Sequence, residues 1–198
     1  MITLTLSTER VRNAVITNEQ GQVIYKTDTP FKFGTRTTTI YKIKPNADLS
    51  DMRDQFDVIG EIEWHSFTSS KFRFGGAEVT TKEFIPKRGF TGQKRVFTGP
   101  DGRPYRWDLE SRVVVLSQND GTQTEVARSS RATLGIIGKK RKATLVVSPE
   151  LAQMMDTVIM TFIYVEKLRM DQEDASNASA GAAASAGASA GASAAACS

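Results

Sequence analysis

Along residues 1–147, apolar and polar positions alternate in short runs, β-branched residues are frequent, and Gly, Asn, Asp or Pro recur every few residues. A period of two sends successive side chains to opposite faces, so this stretch reads as a series of short strands. Residues 14–17 and 23–27 flank a Glu-Gln-Gly-Gln turn and are expected to pair. Residues 37–43 form another strand, ended by Lys44-Pro45-Asn46. In FDVIGEIEWHS (56–66), Phe56, Val58, Ile62 and Trp64 are expected on one face with Gly60, where a large side chain would not fit. Asp57, Glu61, Glu63 and His65 then fall on the other face. Gly99-Pro100-Asp101-Gly102 has Pro where a type I turn presets φ and Gly at the fourth position, predicting a hairpin of 94–98 with 104–108. Asn119-Asp120-Gly121 predicts a second hairpin, of 112–116 with 124–129.

The pattern changes at Ser148-Pro149-Glu150. A capping Ser, Pro at the first helical position and an acid at the positive end of the dipole predict a helix start. At 100° per residue, Val158, Ile159, Met160, Phe162, Ile163, Tyr164 and Val165 point all around the helix axis. Such a helix needs a complete apolar surround. Its uncharged run is far too short to span a bilayer, so protein must supply that surround. About twelve strand candidates are available to do so. The fold expected is mainly β: a closed antiparallel barrel of about twelve strands around a buried hydrophobic C-terminal helix, at about 149–168.

Composition refines the boundaries. The 198 residues carry 26 Lys+Arg, 22 Asp+Glu, one His and one Cys, for a formal net charge of +4. Residues 175–198 are almost entirely Ala, Ser and Gly, and Asp171, Glu173 and Asp174 form an acidic collar before them. Without residues 171–198 the chain keeps 26 bases and 19 acids, a net +7. One domain over 1–170 is therefore expected, with a disordered collar and tail over 171–198. One Cys excludes a disulfide scaffold, and no secretory leader is evident at MITLTLSTER, so a cytoplasmic setting is expected. Cys197 is penultimate and does not fit a prenylation box; a free thiol is expected, with S-acylation as the alternative.

Four stretches, VIYKTDTP (23–30), GEIEWHSF (60–67), RVFTGPDGRPYRW (95–107) and FIYVEKLR (162–169), resemble signature blocks of an uncharacterised domain family abundant in mushroom-forming basidiomycete fungi. That family is similar in fold to the tubby C-terminal-like superfamily, which includes tubby domains, phospholipid scramblases and plant LURP-one-related proteins. The resemblance covers roughly residues 2–170. It implies a twelve-stranded barrel around a hydrophobic helix, and relatives that bind phosphoinositides or other membrane components, or act in defence and transcription. No calcium-site motif of the scramblase type is present, and function does not follow from fold alone.

The charge is concentrated. RSSRATLGIIGKKRK (128–142) holds Arg128, Arg131, Lys139, Lys140, Arg141 and Lys142 with no acid, and Ile136-Ile137 lie between two glycines. Bases beside an apolar pair suit an anionic membrane surface, phosphoinositides included. The competing readings are a solvated strand edge protected by lysines, a nuclear-import signal at 139–142 in a transcription-linked regulator, and a protein-binding face. A second group, Lys82, Lys87, Arg88, Lys94 and Arg95, would join the first in one anion-binding face if the fold brings them together. Glu63-x-His65 offers two ligands on one strand face, but an ordinary polar strand face is the stronger reading, and no metal or cofactor is expected. Neither a nucleophile elbow nor a phosphate-binding glycine loop appears. A non-enzymatic binding module is therefore expected, possessing neither a membrane span nor a specific nucleic-acid motif, with carboxylate chemistry as the remaining enzymatic alternative.

Overall fold

The computed structural model describes residues 1–44, 55–89, 92–133 and 141–193, with side chains described up to residue 180. Thirteen strands form one antiparallel sheet: β1 (Ile2–Leu6), β2 (Val15–Thr17), β3 (Val23–Asp28), β4 (Arg36–Ile43), β5 (Phe56–Trp64), β6 (Lys71–Phe74), β7 (Ala77–Thr80), β8 (Lys87–Arg88), β9 (Lys94–Thr98), β10 (Pro104–Leu109), β11 (Val114–Gln118), β12 (Glu125–Ser130) and β13 (Thr144–Val147). A short helix α1 (Thr81–Phe84) lies between β7 and β8, and α2 (Met155–Ser193) follows β13. The sheet order is β7-β6-β5-β4-β3-β2-β1-β13-β12-β11-β10-β9-β8. Both predicted hairpins and the pairing of β2 with β3 are present.

The order has a geometric consequence. Laid flat, thirteen strands at about 4.8 Å spacing would separate the edges by roughly 58 Å. The edge strands are β7 and β8, joined by only the short segment 81–86, which reaches at most about 25 Å. The sheet must therefore be rolled. Phe84 of α1 spans the join, with its ring 5.2 Å from Phe72 of β6 and 6.2 Å from Phe97 of β9. A backbone hydrogen bond from Val96 to the Pro86 carbonyl, 3.2 Å, fixes the segment to the far edge.

The roll encloses α2. Every residue from Thr157 to Glu166 is buried, which is what a helix apolar on all sides requires. Trp107 is fully buried and donates its indole N–H to Thr161 Oγ1 at 3.1 Å; Thr161 also bonds the Thr157 carbonyl, so the polar tip carries no penalty. Gly60 faces the helix as expected: a Cβ there would sit 2.6 Å from Met160 Sδ.

Three local expectations are corrected. A bulge at Ile59, between the pairs Ile40–Gly60 and Tyr41–Val58, reverses the faces of the first part of β5, so Val58 is exposed rather than inward. Ser148 makes no side-chain cap; the chain enters through a 3-10 segment, Pro149–Met154, closed by the Leu151 N–H on the Ser148 carbonyl at 3.0 Å. The helix does not stop near 168, as α2 is described to Ser193. Alanine's high helix propensity carries α2 through the Ala/Ser/Gly stretch to Ser193. Cys197 lies outside the described residues.

Candidate functional site

The strand registers sort the loops into two ends. α2 enters the roll after Val147 and leaves beside the loop that joins β10 to β11, where Arg169 Nη1 donates to the Ser111 carbonyl at 3.2 Å. At this exit end lie the loops 7–14, 29–35, 65–70 and 110–113, together with Gly89, Gly92 and Gln93, because Arg36 pairs with Trp64, Lys71 with Thr80, Thr5 with Thr144, and Arg88 with Lys94. β12 ends and β13 begins here too. The entry end carries the turns 18–22, 75–76, 99–103 and 119–124.

Three members of the two predicted basic groups occupy one face. Arg128 pairs across the sheet with Val115, Val115 with Asp108, Asp108 with Lys94, and Lys94 with Arg88. Directly opposed residues of antiparallel strands point the same way, so Arg128, Lys94 and Arg88 share the outer surface within about four strand spacings, roughly 19 Å.

Their charges are not equally available. Arg128 is held by both Glu125 carboxylate oxygens at 2.8 and 2.7 Å, which raises its pKa and lowers that of Glu125. Arg131 contacts Glu173 at 2.7 Å and Glu9 at 3.7 Å. Glu173 also accepts from Arg169 at 2.9 Å, and these two guanidinium groups hold its carboxyl below the usual carboxylate range. The expected collar is thus built into the domain: Glu173 closes an ion-pair chain with Arg169 and Glu166, whose side chains are almost fully buried. By contrast, Lys87, Arg88, Arg141 and Lys142 are exposed, with no side-chain partner among the described residues. Lys139, Lys140 and Ile136-Ile137 lie outside the described residues.

More of the exit end was missed than found. Phe31 and Phe33, on the loop 29–35, are 73% and 96% exposed, and Phe67 is fully exposed. Phe31 and Phe33 meet edge to face at 5.5 Å, and the Arg36 guanidinium lies 5.2 Å from the Phe31 ring centre. Nearby, Arg10, Arg12, Arg36 and Lys167 line a cleft of about 290 Å³ with Asp171 and Asp174. A signal existed: FKF between Pro30 and Gly34, and Phe67 within HSFTSS, place large apolar residues in turn-rich sequence that no strand can bury.

The Glu63-x-His65 pair has another occupation. Glu63 accepts from Arg73 and lies 2.6 Å from His65 Nε2, and both contacts pull its pKa down. Arg73 also reaches Glu78 at 2.8 Å and Glu61 at 3.6 Å. Register explains this, since Glu61 stands opposite Arg73, and Glu63 opposite Lys71. The alternation predicted from sequence has produced a cross-strand ion-pair ladder.

A model of a family of unknown function, DUF6593, matches residues 9–171. The chain belongs to this family. The match begins inside the first exit-end loop, includes the whole buried part of α2, and ends within the collar. No curated protein matches. Among solved structures, an X-ray structure of an Arabidopsis thaliana protein is similar at 16% identity and a TM-score of 0.30, covering 80% of this chain and 88% of that one. The fold described here rests on the strand order and the buried helix.

Proposed function

We propose that this DUF6593 domain is a non-enzymatic, cytoplasmic, membrane-peripheral module that docks its exit end on anionic lipid. The observation that carries this is one end of the molecule presenting three exposed phenylalanines together with unpaired bases. Exposed aromatic rings on loops are costly in water and gain on entering an acyl–headgroup boundary, while each nearby base adds about 1 kcal/mol at an anionic surface. No helix among the described residues is long and apolar enough to cross a membrane, and surface docking needs none.

We further infer that the rolled sheet is a closed barrel of the tubby C-terminal-like kind, as the fungal signature blocks imply. The short connection between its two edge strands and the Phe72–Phe84–Phe97 contacts support that reading. Co-sedimentation with phosphatidylcholine vesicles, with and without phosphatidylserine and phosphoinositide, tests the docking. Binding is expected only to the anionic vesicles and is expected to fall when Arg88 and Lys142 are reversed to Glu; equal binding to neutral vesicles, or none to either, removes the proposal.

A further inference from the structure

A second feature of the exit end is concave. Between the loop 65–70, α1, the β8–β9 hairpin and the emerging face of α2 lies a cleft of about 520 Å³. Its size falls within the range of small-ligand sites. Four bases line it, His65, Lys82, Lys87 and Arg95, and no carboxylate does among the described residues. Hydroxyl donors stand beside them on Thr68 and Ser69.

Arg95 is the decisive residue. It pairs with Lys87 and Trp107 in the inward-facing row of the sheet, so its side chain is turned into the roll and is 9% exposed. Its Nη1 donates to the Gly92 carbonyl at 2.9 Å, but no carboxylate neutralises it among the described residues. The other guanidinium of comparable burial, Arg169, is held by Glu166 and Glu173. Buried charges are ordinarily paired, because removing them from water costs several kcal/mol. Every fully enclosed side-chain polar atom of the described residues has a partner. The remaining Arg95 donors, Nε and Nη2, which have none among the described residues, are therefore not fully enclosed, and Arg95 lines the cleft. The site is arranged as one half of an ion pair.

We propose that this cleft binds a phosphate monoester, with Arg95 as the fixed donor at its base and Lys82 and Lys87 closing on the anion from the rim. A guanidinium gives paired, directional donors to phosphate oxygens, and two flexible ammonium groups balance a dianion without demanding a fixed geometry. The phosphate can belong to a lipid headgroup or to a soluble metabolite. The proposal builds on the exit end as an anionic-lipid surface, but the two fail differently.

Titration calorimetry of the full chain with soluble inositol trisphosphate provides the test, alongside vesicles containing phosphatidylinositol bisphosphate. Binding is expected, weakened about tenfold or more by Arg95→Gln and by the double change Lys82→Gln/Lys87→Gln, and unchanged by Arg103→Gln at the entry end. The double variant alters exposed residues and carries the test if Arg95→Gln does not fold. If soluble inositol trisphosphate also displaces the protein from vesicles, the source is a headgroup. If it binds while the vesicles do not, the source is a soluble phosphate and the membrane reading falls alone. No binding of the soluble probe, or binding indifferent to Lys82 and Lys87, overturns the cleft even where the vesicles still bind.

Discussion

The two ends of the rolled sheet are fastened by different chemistry. At the entry end, tyrosines meet carboxylates: Tyr25 donates to Asp156 at 2.6 Å beside Lys42, and Tyr105 donates to Asp101 at 2.7 Å. At the exit end, guanidinium groups meet carboxylates, in the chain Glu9–Arg131–Glu173–Arg169–Glu166. Each phenol satisfies a carboxylate oxygen, and Lys42 adds an ion pair to Asp156 at 2.8 Å. The exit end instead keeps bases beyond those its acids hold, and carries the exposed phenylalanines as well. One end is finished as a lid, the other is left ready for a partner.

The sharpest way to break that contrast is to open each lock. Arg169→Ala would leave Glu166 buried without its partner, which costs about 3–5 kcal/mol. Tyr105→Phe removes one hydrogen bond to a partly exposed carboxylate, a loss of about 1 kcal/mol. Urea unfolding of the two variants measures both, and equal losses would mean that the ends do not differ in kind.

Next in size is the apolar half of the proposed contact. Replacing Phe31, Phe33 and Phe67 together by Ser is expected to lower affinity for anionic vesicles at least tenfold, since even partial burial of three rings is worth about 2 kcal/mol or more. The unfolding midpoint should stay unchanged, because these rings pack against no core residue. A large drop in stability with intact vesicle binding would assign them to the fold instead.

pH separates the ends in opposite directions. Burial, followed by the bond to Asp101, pushes the Tyr105 phenol up to about 12, and burial, followed by the bond to Asp156, raises Tyr25 further. A group whose folded pKa is raised holds its proton longer when folded, so this stability is complete below the unfolded value near 10. It is lost as pH rises toward the folded value. Glu173 is shifted the other way: its stabilisation is present above the unfolded carboxyl pKa and is lost as pH falls through the depressed folded value. Tyrosinate absorbance should show Tyr25 and Tyr105 ionising only on unfolding at high pH. Glu173→Gln should flatten the acid limb of the stability profile and leave the alkaline limb alone. A change in the alkaline limb would show that the two ends titrate together.

These contrasts were unevenly legible. The helix that needs an all-round sheath declares itself in Val158–Val165 without any structure, because no stripe of polar residues interrupts it, and that requirement already dictates a rolled sheet. The hairpins were legible because Pro100, Gly102 and Asp120 act locally. The bulge at Ile59 was not, since the extra residue is defined only by its partner strand. The charge run at 128–142 was visible as composition, yet which of its members remain free was not. Arg131 is neutralised by Glu173, 42 residues away, and by Glu9 from the far end of the chain. The unpaired state of Arg95 was equally hidden, because the alternation of KRVFT gives its inward direction but not the missing acid.

The finest test concerns single bases. Lys142 is exposed at the exit end without a partner, whereas Arg103 lies in an entry-end turn. Near an anionic surface each base contributes about 1 kcal/mol, so Lys142→Gln is expected to weaken vesicle binding about fivefold and Arg103→Gln hardly at all. The difference should shrink with added salt, as the screening length falls from about 10 Å at 0.1 M to about 3 Å at 1 M. The aromatic contribution should persist in the same titration, because burial of rings is not screened. Equal losses from Lys142→Gln and Arg103→Gln would indicate attraction by net charge alone, with no preferred end facing the lipid.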